Sequence, residues 1–387
     1  MLIVVLMLCS FAVATAEFVL VGLLPEIATD LAVSVPAAGQ LVTVYMLVVT
    51  VGGPVATVLT RRLPRRSLLA ATMALATAAA VGSAAAGSYG VLLVARLGSA
   101  VAQALFMAVA SQVAMAAAAP ARQTAAVARV FAGFALATVI GLPVGSLVGQ
   151  AYGWHATFVL VAVLAGAGLV GVLVFCPRMP ADASADAGRL GDVVRLVADR
   201  AVLTGLAVTL LTLTGFVAVF TYVAPLLSTV ADVSPGWVSV GLVGYGLGTV
   251  AGNVLAGRVP PAAVPRVLPV PLAVLAVVLA AQPVLLRIPA AALVGLVVLG
   301  AATFVVVPLL QTWLMAQVGP SAAGLVAAVN ISVAGVAGAL GAGLGGAVLA
   351  VGLGLVAIGP VAAFPVLGAL GTALALRARP AGVLCRD

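Results

Sequence analysis

The sequence predicts an all-α polytopic membrane protein, with twelve transmembrane helices in two pseudo-symmetric six-helix bundles. Three observations lead there. Hydrophobic residues fill 65% of the 387 positions and charged residues only 7%. The apolar residues recur in runs of roughly 20, the length at which a helix rising 1.5 Å per residue crosses about 30 Å of hydrocarbon. The 17 basic residues, all of them arginine, fall mostly in alternate loops between these runs, as cytoplasmic retention of positive charge requires. A net charge of +8 would suggest nucleic acid in a soluble chain. Here the arginines follow a membrane topology, and no nucleic-acid partner is expected.

The first span, 2–22, is expected to be retained. Ala14-Thr15-Ala16 resembles a signal-peptidase site, but Met1-Leu2-Ile3 lacks the basic start of a signal peptide and the apolar run resumes through Leu24. Spans 38–59, 67–87, 91–118, 124–149 and 155–176 follow, completing an N-terminal bundle over residues 1–176. The one extended polar stretch, 177–200, interleaves Asp182, Asp186, Asp192 and Asp199 with arginines and reads as a cytoplasmic linker, with a short surface helix over 190–197. Spans 201–226, 235–257, 266–286, 290–314, 321–349 and 359–377 form the C-terminal bundle, which with a short cytoplasmic tail takes up 201–387. The glycine-rich run from Gly335 to Pro360 has no polar break and admits other cuts.

With the N-terminus inside, the cytoplasmic loops and tail hold Arg61, Arg62, Arg65, Arg66, Arg122, Arg178, Arg189, Arg195, Arg200, Arg258, Arg266, Arg377, Arg379 and Arg386, and the external loops hold only Arg287. Arg129 lies just beyond a cytoplasmic edge and can snorkel back to it. Both termini are therefore expected on the cytoplasmic side.

Against this apolar background a few residues stand out. Glu17 is the one acid well inside a span: either the helix ends earlier, or this is a buried carboxylate whose desolvation favours proton exchange, with Thr15 and Tyr45 as possible polar neighbours. Arg96 lies inside the fourth span with Gln103 two turns on, nearly on the same face. It either snorkels outward or carries a charge inside the protein that senses Glu17 or substrate. Gly133, Gly141, Pro143, Gly145 and Gly149 thin one face of the fifth span, and Gly324, Gly335, Gly338, Gly341 and Gly345 do the same in the eleventh. Such faces serve either ordinary helix packing or a close contact between bundles that parts and reseals. A substrate wall is expected from Tyr45, Gln103, Phe106, Met107, Gln112, Phe216, Phe220, Tyr222, Gln311, Trp313 and Asn330, whose apolar surfaces and few hydrogen-bonding groups suit a weakly polar solute. Asn253 and Asn330 also read as helix-to-helix hydrogen-bonding residues.

Enzyme chemistry finds little support. His155, the single histidine, sits beside Trp154 at a span boundary, where an anchor fits better than a base. No GxxxxGK[ST] phosphate loop occurs. Cys9, Cys176 and Cys385 are too scattered for a metal cluster. Neither cofactor nor metal is expected.

The run Glu17-Phe18-Val19-Leu20-Val21-Gly22-Leu23-Leu24-Pro25-Glu26-Ile27-Ala28-Thr29-Asp30-Leu31 resembles the end of the first helix in bacterial drug:proton antiporters of the major facilitator superfamily. The loop after the second span resembles the superfamily's G-x-L-a-D-R-x-G-R-R signature through Leu59, Arg62, Arg65 and Arg66, but has Thr57, Arg61 and Pro64 where the signature has glycine, aspartate and glycine. Arg96, Ala100 and Ala102 are similar to the fourth-helix motif. Gly141, Pro143, Gly145 and Gly149, followed by Gly153, Trp154 and Phe158, are similar to the antiporter motif of the fifth helix. This resemblance implies a monomeric exporter in a bacterial cytoplasmic membrane, coupling proton entry to efflux of a small, largely uncharged drug such as chloramphenicol. It implies a proton-coupling or gating role for Glu17, Arg96, Gly141, Pro143 and Gly145. The same branch is similar to sugar and nucleoside exporters, so a metabolite is the alternative substrate.

Overall fold

The apolar runs become helices because a backbone deprived of water must satisfy its polar groups within each segment. The computed structural model describes residues 1–60, 63–117, 123–177, 198–318 and 320–377, and no strand occurs among them. Among the described residues, eleven helices are long and apolar enough to cross a membrane, or twelve when one bent pair counts as a single span. The chain divides into two compact units, Met1–Ala187 and Gly188–Asp387.

The first unit contains α1 (Leu2–Gly22), the short α2 (Leu24–Asp30), α3 (Val35–Thr60), α4 (Arg65–Ala84), α5 (Tyr89–Ala116), α6 (Gln123–Leu136), α7 (Leu142–Tyr152) and α8 (Trp154–Phe175). α6 and α7 form one span joined by a π turn, Ala137–Gly141. Pro143 explains the turn: it has no N–H to offer the preceding turn, and its ring would press on the carbonyl four residues back. One extra residue relieves this, and Leu142 N–H donates to Ala137 O instead. α1 packs against α5, α6 and α8, α3 against α5, and α4 against α5 and α8. An apolar core among these helices includes Leu6, Cys9, Met73, Phe106, Val113 and Val172. Cys9 and Cys176 are buried free thiols.

The second unit contains α9 (Arg200–Phe220), α10 (Pro235–Ala256), α11 (Pro269–Ala280), α12 (Pro289–Ala316), α13 (Pro320–Ala350) and α14 (Ile358–Arg377). Asp199 caps α9, its carboxylate accepting from the N–H groups of Ala201 and Val202. The ninth span is the bent pair: Pro261–Val267 meets α11 at 40°, where Pro269 withholds the donor that would continue the helix. α9 packs against α12, α13 and α14, α10 against α12, and α11 against α12 and α14. Span for span, these are the pairings of the first unit, so each unit builds the same six-helix arrangement. The glycine-rich run breaks after Ala350, where Gly352 and Gly354 take φ of 82° and 77°, a region glycine enters without a Cβ penalty. The expected linker helix over 190–197 lies outside the described residues.

Candidate functional site

Inside the first unit, one polar chain joins the charges of two helices. Glu17 projects from α1, where a carboxylate flanked by apolar neighbours needs a donor. Gln103 of α5 supplies it, its Nε2 donating to Glu17 Oε2 over 2.5 Å. Tyr45 of α3 donates from its hydroxyl to Gln103 Oε1 at 2.7 Å. The Arg96 guanidinium, two turns from Gln103, lies over the Tyr45 ring, 4.3 Å from its centroid, and donates through Nη1 to Ala16 O of α1. Glu17, Tyr45, Arg96 and Gln103 are all buried. Arg96 therefore does not snorkel. A carbonyl and a ring face offset part of the cost of burying its charge, while its Nε is buried without a hydrogen-bond partner.

The carboxylate thus reaches the guanidinium through an amide and a phenol. Both links reorganise without moving backbone: the amide can flip its donor and acceptor ends, and the phenol hydroxyl can rotate. Such an arrangement can respond to a proton, because a carboxylate is acceptor-only when ionised and gains a donor when protonated. Thr15 stays outside it, donating to Phe11 O of its own helix.

The glycine face of the fifth span is taken up within the same unit. A Cβ on Gly141 would fall on Thr15, on Gly145 on Val19, on Gly149 on Leu23, and on Gly133 on the Met7 carbonyl, all residues of α1 or its end. This face packs against α1, because only backbone this bare lets the two helices approach so closely. α13 repeats the device: Gly341 meets the backbone of Thr214 and Ala218, and Gly345 meets Tyr222.

Around the same unit, Trp154 Nε1 donates to Asp30 Oδ2 at 2.9 Å, and His155 stacks on Trp154 with centroids 3.7 Å apart while its Nε2 lies 3.2 Å from Ala86 O. His155 is an anchor here. Phe106 is sealed in the apolar core, and Met107 packs on that core and accepts a bond from Ser10. Arg66 donates to Leu173 O of α8, joining α4 to α8, and Arg65 is buried. Arg61 and Arg62 lie outside the described residues.

The second unit holds two different clusters. Phe216 and Phe220 of α9 stack at 5.1 Å, Tyr245 of α10 lies 4.6 Å from Phe220, and Phe304 of α12 meets Phe216 edge-on at 6.5 Å. Separately, Asn330 of α13 accepts from Thr209 of α9 at 2.8 Å and donates to Gln311 of α12 at 2.5 Å, so it bridges three helices. Asn253 does not bridge: it donates to Thr249 O of its own helix. Trp313 is buried against Gly205. Tyr222 is wholly buried beside Gly345 and Gly346. Thr209, Tyr245 and Phe304 were not singled out in the sequence. Tyr245 carried a signal, as the one tyrosine inside the eighth span, whereas Thr209 is one of many threonines.

Residues 6–342 match the model of the Major Facilitator Superfamily. The chain belongs to this family. Its members are transporters, and the bundles described above are the major facilitator fold. The chain is 35% identical to the inner membrane transport protein YdhP of Escherichia coli (strain K12), covering 81% of this chain and 80% of that one. It is 38% identical to a chloramphenicol resistance protein of Streptomyces lividans, over 64% of this chain and 63% of that protein, slightly under two thirds of its length. It is 30% identical to a probable sugar efflux transporter of Mannheimia succiniciproducens, over 66% and 64%. In three dimensions it resembles a nucleoside transporter, NupG, with a TM-score of 0.78 at 12% identity, covering 97% and 100% of the two chains. A D-xylose-proton symporter superposes with a TM-score of 0.74 at 15% identity and 96% coverage of both. At such identities these likenesses show the fold alone. As a facilitator-family chain, it is a multi-pass membrane transporter.

Proposed function

We propose that this transporter is a proton-coupled exporter of a small, largely uncharged antibiotic of the chloramphenicol type, working by alternating access as a monomer in a bacterial cytoplasmic membrane with both termini inside. The observation that carries the coupling is the buried chain Glu17–Gln103–Tyr45–Arg96. In one state Glu17 is ionised and takes the amide donor of Gln103. When a proton arrives, the carboxyl no longer needs that donor, Gln103 and Tyr45 are free to exchange partners, and the Arg96 charge loses its counter-charge on α1. Proton entry at Glu17 thereby rearranges this network and favours substrate release and reset. Each elementary charge moving inward gains about 2.3 kcal/mol per 100 mV of membrane potential, enough to drive efflux without a nucleotide.

The substrate class rests on the aromatic cluster Phe216, Phe220, Tyr245 and Phe304, which suits a flat neutral solute, and on the identity with the Streptomyces chloramphenicol resistance protein. Everted membrane vesicles energised by respiration should accumulate radiolabelled chloramphenicol and lose it on addition of an uncoupler. Accumulation indifferent to the uncoupler would remove the coupling from this reading.

A second reading, export of a sugar, nucleoside or other metabolite, is favoured by one observation: the Thr209–Asn330–Gln311 cluster concentrates neutral hydrogen-bonding groups on three helices. A xylose or uridine signal in the same vesicles, with none for chloramphenicol, would establish it.

A further inference from the structure

Most of the first unit carries basic side chains with no acid to balance them. No aspartate or glutamate occurs between Asp30 and Asp182, a stretch that holds Arg61, Arg62, Arg65, Arg66, Arg122, Arg129 and Arg178 besides Arg96. The linker supplies no surplus, since Asp182, Asp186, Asp192 and Asp199 are matched in number by Arg178, Arg189, Arg195 and Arg200. Arg66 shows what kind of anion fits. Its Nη2 donates to Leu173 O in the last turn of α8, a carbonyl that its own helix leaves without a partner. That bond holds the guanidinium at the seam between α4 and α8 but does not neutralise it, and the fork has further N–H donors. Deeper along the seam, a Cβ on Gly168 would fall on Met73 and one on Gly166 would reach Thr77, so the two helices lie close together. Beside this seam Ala71 and Ala74 of α4 and Val170 and Val174 of α8 are exposed. They form a shallow apolar strip, covered by no described residue, that starts at a cation.

A cation at the head of an apolar strip is complementary to a negative headgroup on an acyl chain. We propose that the seam of α4 and α8 holds one anionic phospholipid, its phosphate on the Arg66 guanidinium and an acyl chain along Ala71, Ala74, Val170 and Val174. The guanidinium fork matches two phosphate oxygens at once. A zwitterionic lipid is disfavoured, because Arg61, Arg62 and Arg65, close by in sequence, repel its ammonium group. The proposal does not depend on which solute is exported.

The test uses the full chain in detergent micelles, photolabelled with phosphatidylglycerol or with phosphatidylethanolamine bearing the same diazirine-modified acyl chain, and adducts are located by peptide mass spectrometry. The expected result in the parent is phosphatidylglycerol adducts on Ala71, Ala74, Val170 or Val174, with half-saturation at least about fivefold below that of phosphatidylethanolamine, the effect of one arginine on an anionic headgroup. Arg66→Gln should raise the phosphatidylglycerol half-saturation about fivefold. Arg66→Lys keeps the charge and should recover most of that loss. Arg287→Gln removes an exposed arginine of the second unit and should change nothing. The preference of the parent stands as a reading even if a variant fails to fold. Equal labelling of the strip by the two lipids, no adduct there, or a loss in Arg287→Gln as large as in Arg66→Gln overturns the proposal. So does displacement of the lipid by soluble glycerol phosphate as effective as that by unlabelled phosphatidylglycerol, which would leave an anion site with no use for the apolar strip.

Discussion

Replacing Tyr45 by phenylalanine keeps a ring beneath Arg96 and deletes only the hydroxyl that donates to Gln103 Oε1 over 2.7 Å. Tyr45 and Gln103 are 1% and 3% exposed, so bulk water does not replace the lost donor. A neutral hydrogen bond contributes about 1 kcal/mol net, and stranding a buried acceptor raises the cost of Tyr45→Phe to about 1–3 kcal/mol. Gln103→Leu deletes the same bond and also the donor to Glu17, so it should cost more, because the second bond goes to a carboxylate. The shared bond can be lost only once. The double variant should therefore cost about 1 kcal/mol less than the two single costs added together. Equilibrium unfolding of all four proteins in mixed micelles, titrated with dodecyl sulfate, measures this difference. Additivity to within about 0.3 kcal/mol would mean that hydroxyl and amide do not interact, and the polar chain would be broken at its middle link.

Arg96→Ala should lower export at least about tenfold with normal membrane yield, since the span keeps its apolar length, and Arg96→Lys should restore only part because an ammonium lacks the guanidinium fork; radiolabel efflux with immunoblotting checks both. Gly145→Ala places a methyl on Val19 and 3.2 Å from the Thr157 side chain, which should cost about 1–3 kcal/mol of stability by overpacking; Gly87→Ala, with nothing within 4 Å, is the control in the same thermal melt. Burial pushes the Glu26 carboxyl above its ordinary value, so folded protein holds that proton more tightly than unfolded chain. Its contribution is complete below about pH 4.3, the unfolded value, and is lost as pH rises through the folded one. Glu26→Gln should therefore flatten the fall of stability above that pH, read from melts across a pH series.

Much of the fold is legible in the sequence because a membrane span is a one-dimensional signal: length and hydropathy suffice. The ninth span shows where this ends. Its 40° bend depends on which of several prolines interrupts the helix, and hydropathy is blind to that. The cut after Ala350 is similar, since it turns on the backbone angles of Gly352 and Gly354 within an unbroken apolar run. For the site, Glu17 and Arg96 stand out because a charge inside a span is costly. The residue between them does not. Gln103 was placed near Arg96 by helical periodicity, but its position as the bridge to Glu17 required the packing of α5 on α1 and α3. The glycine face was visible and its partner was not: spacing says that something approaches closely, and only the fold says that it is α1. Tyr245 was missed because an aromatic cluster is assembled from α9, α10 and α12, each contributing rings unremarkable alone.

The central claim is that Glu17 exchanges the proton that drives export. The most direct measurement is proton movement in proteoliposomes containing a trapped pH dye, with chloramphenicol added to drive exchange. The parent should move protons against the direction of the drug. Glu17→Gln keeps the side-chain shape and an oxygen able to accept from Gln103, so it should still bind chloramphenicol yet move no protons. Proton movement in Glu17→Gln equal to that of the parent would contradict the account.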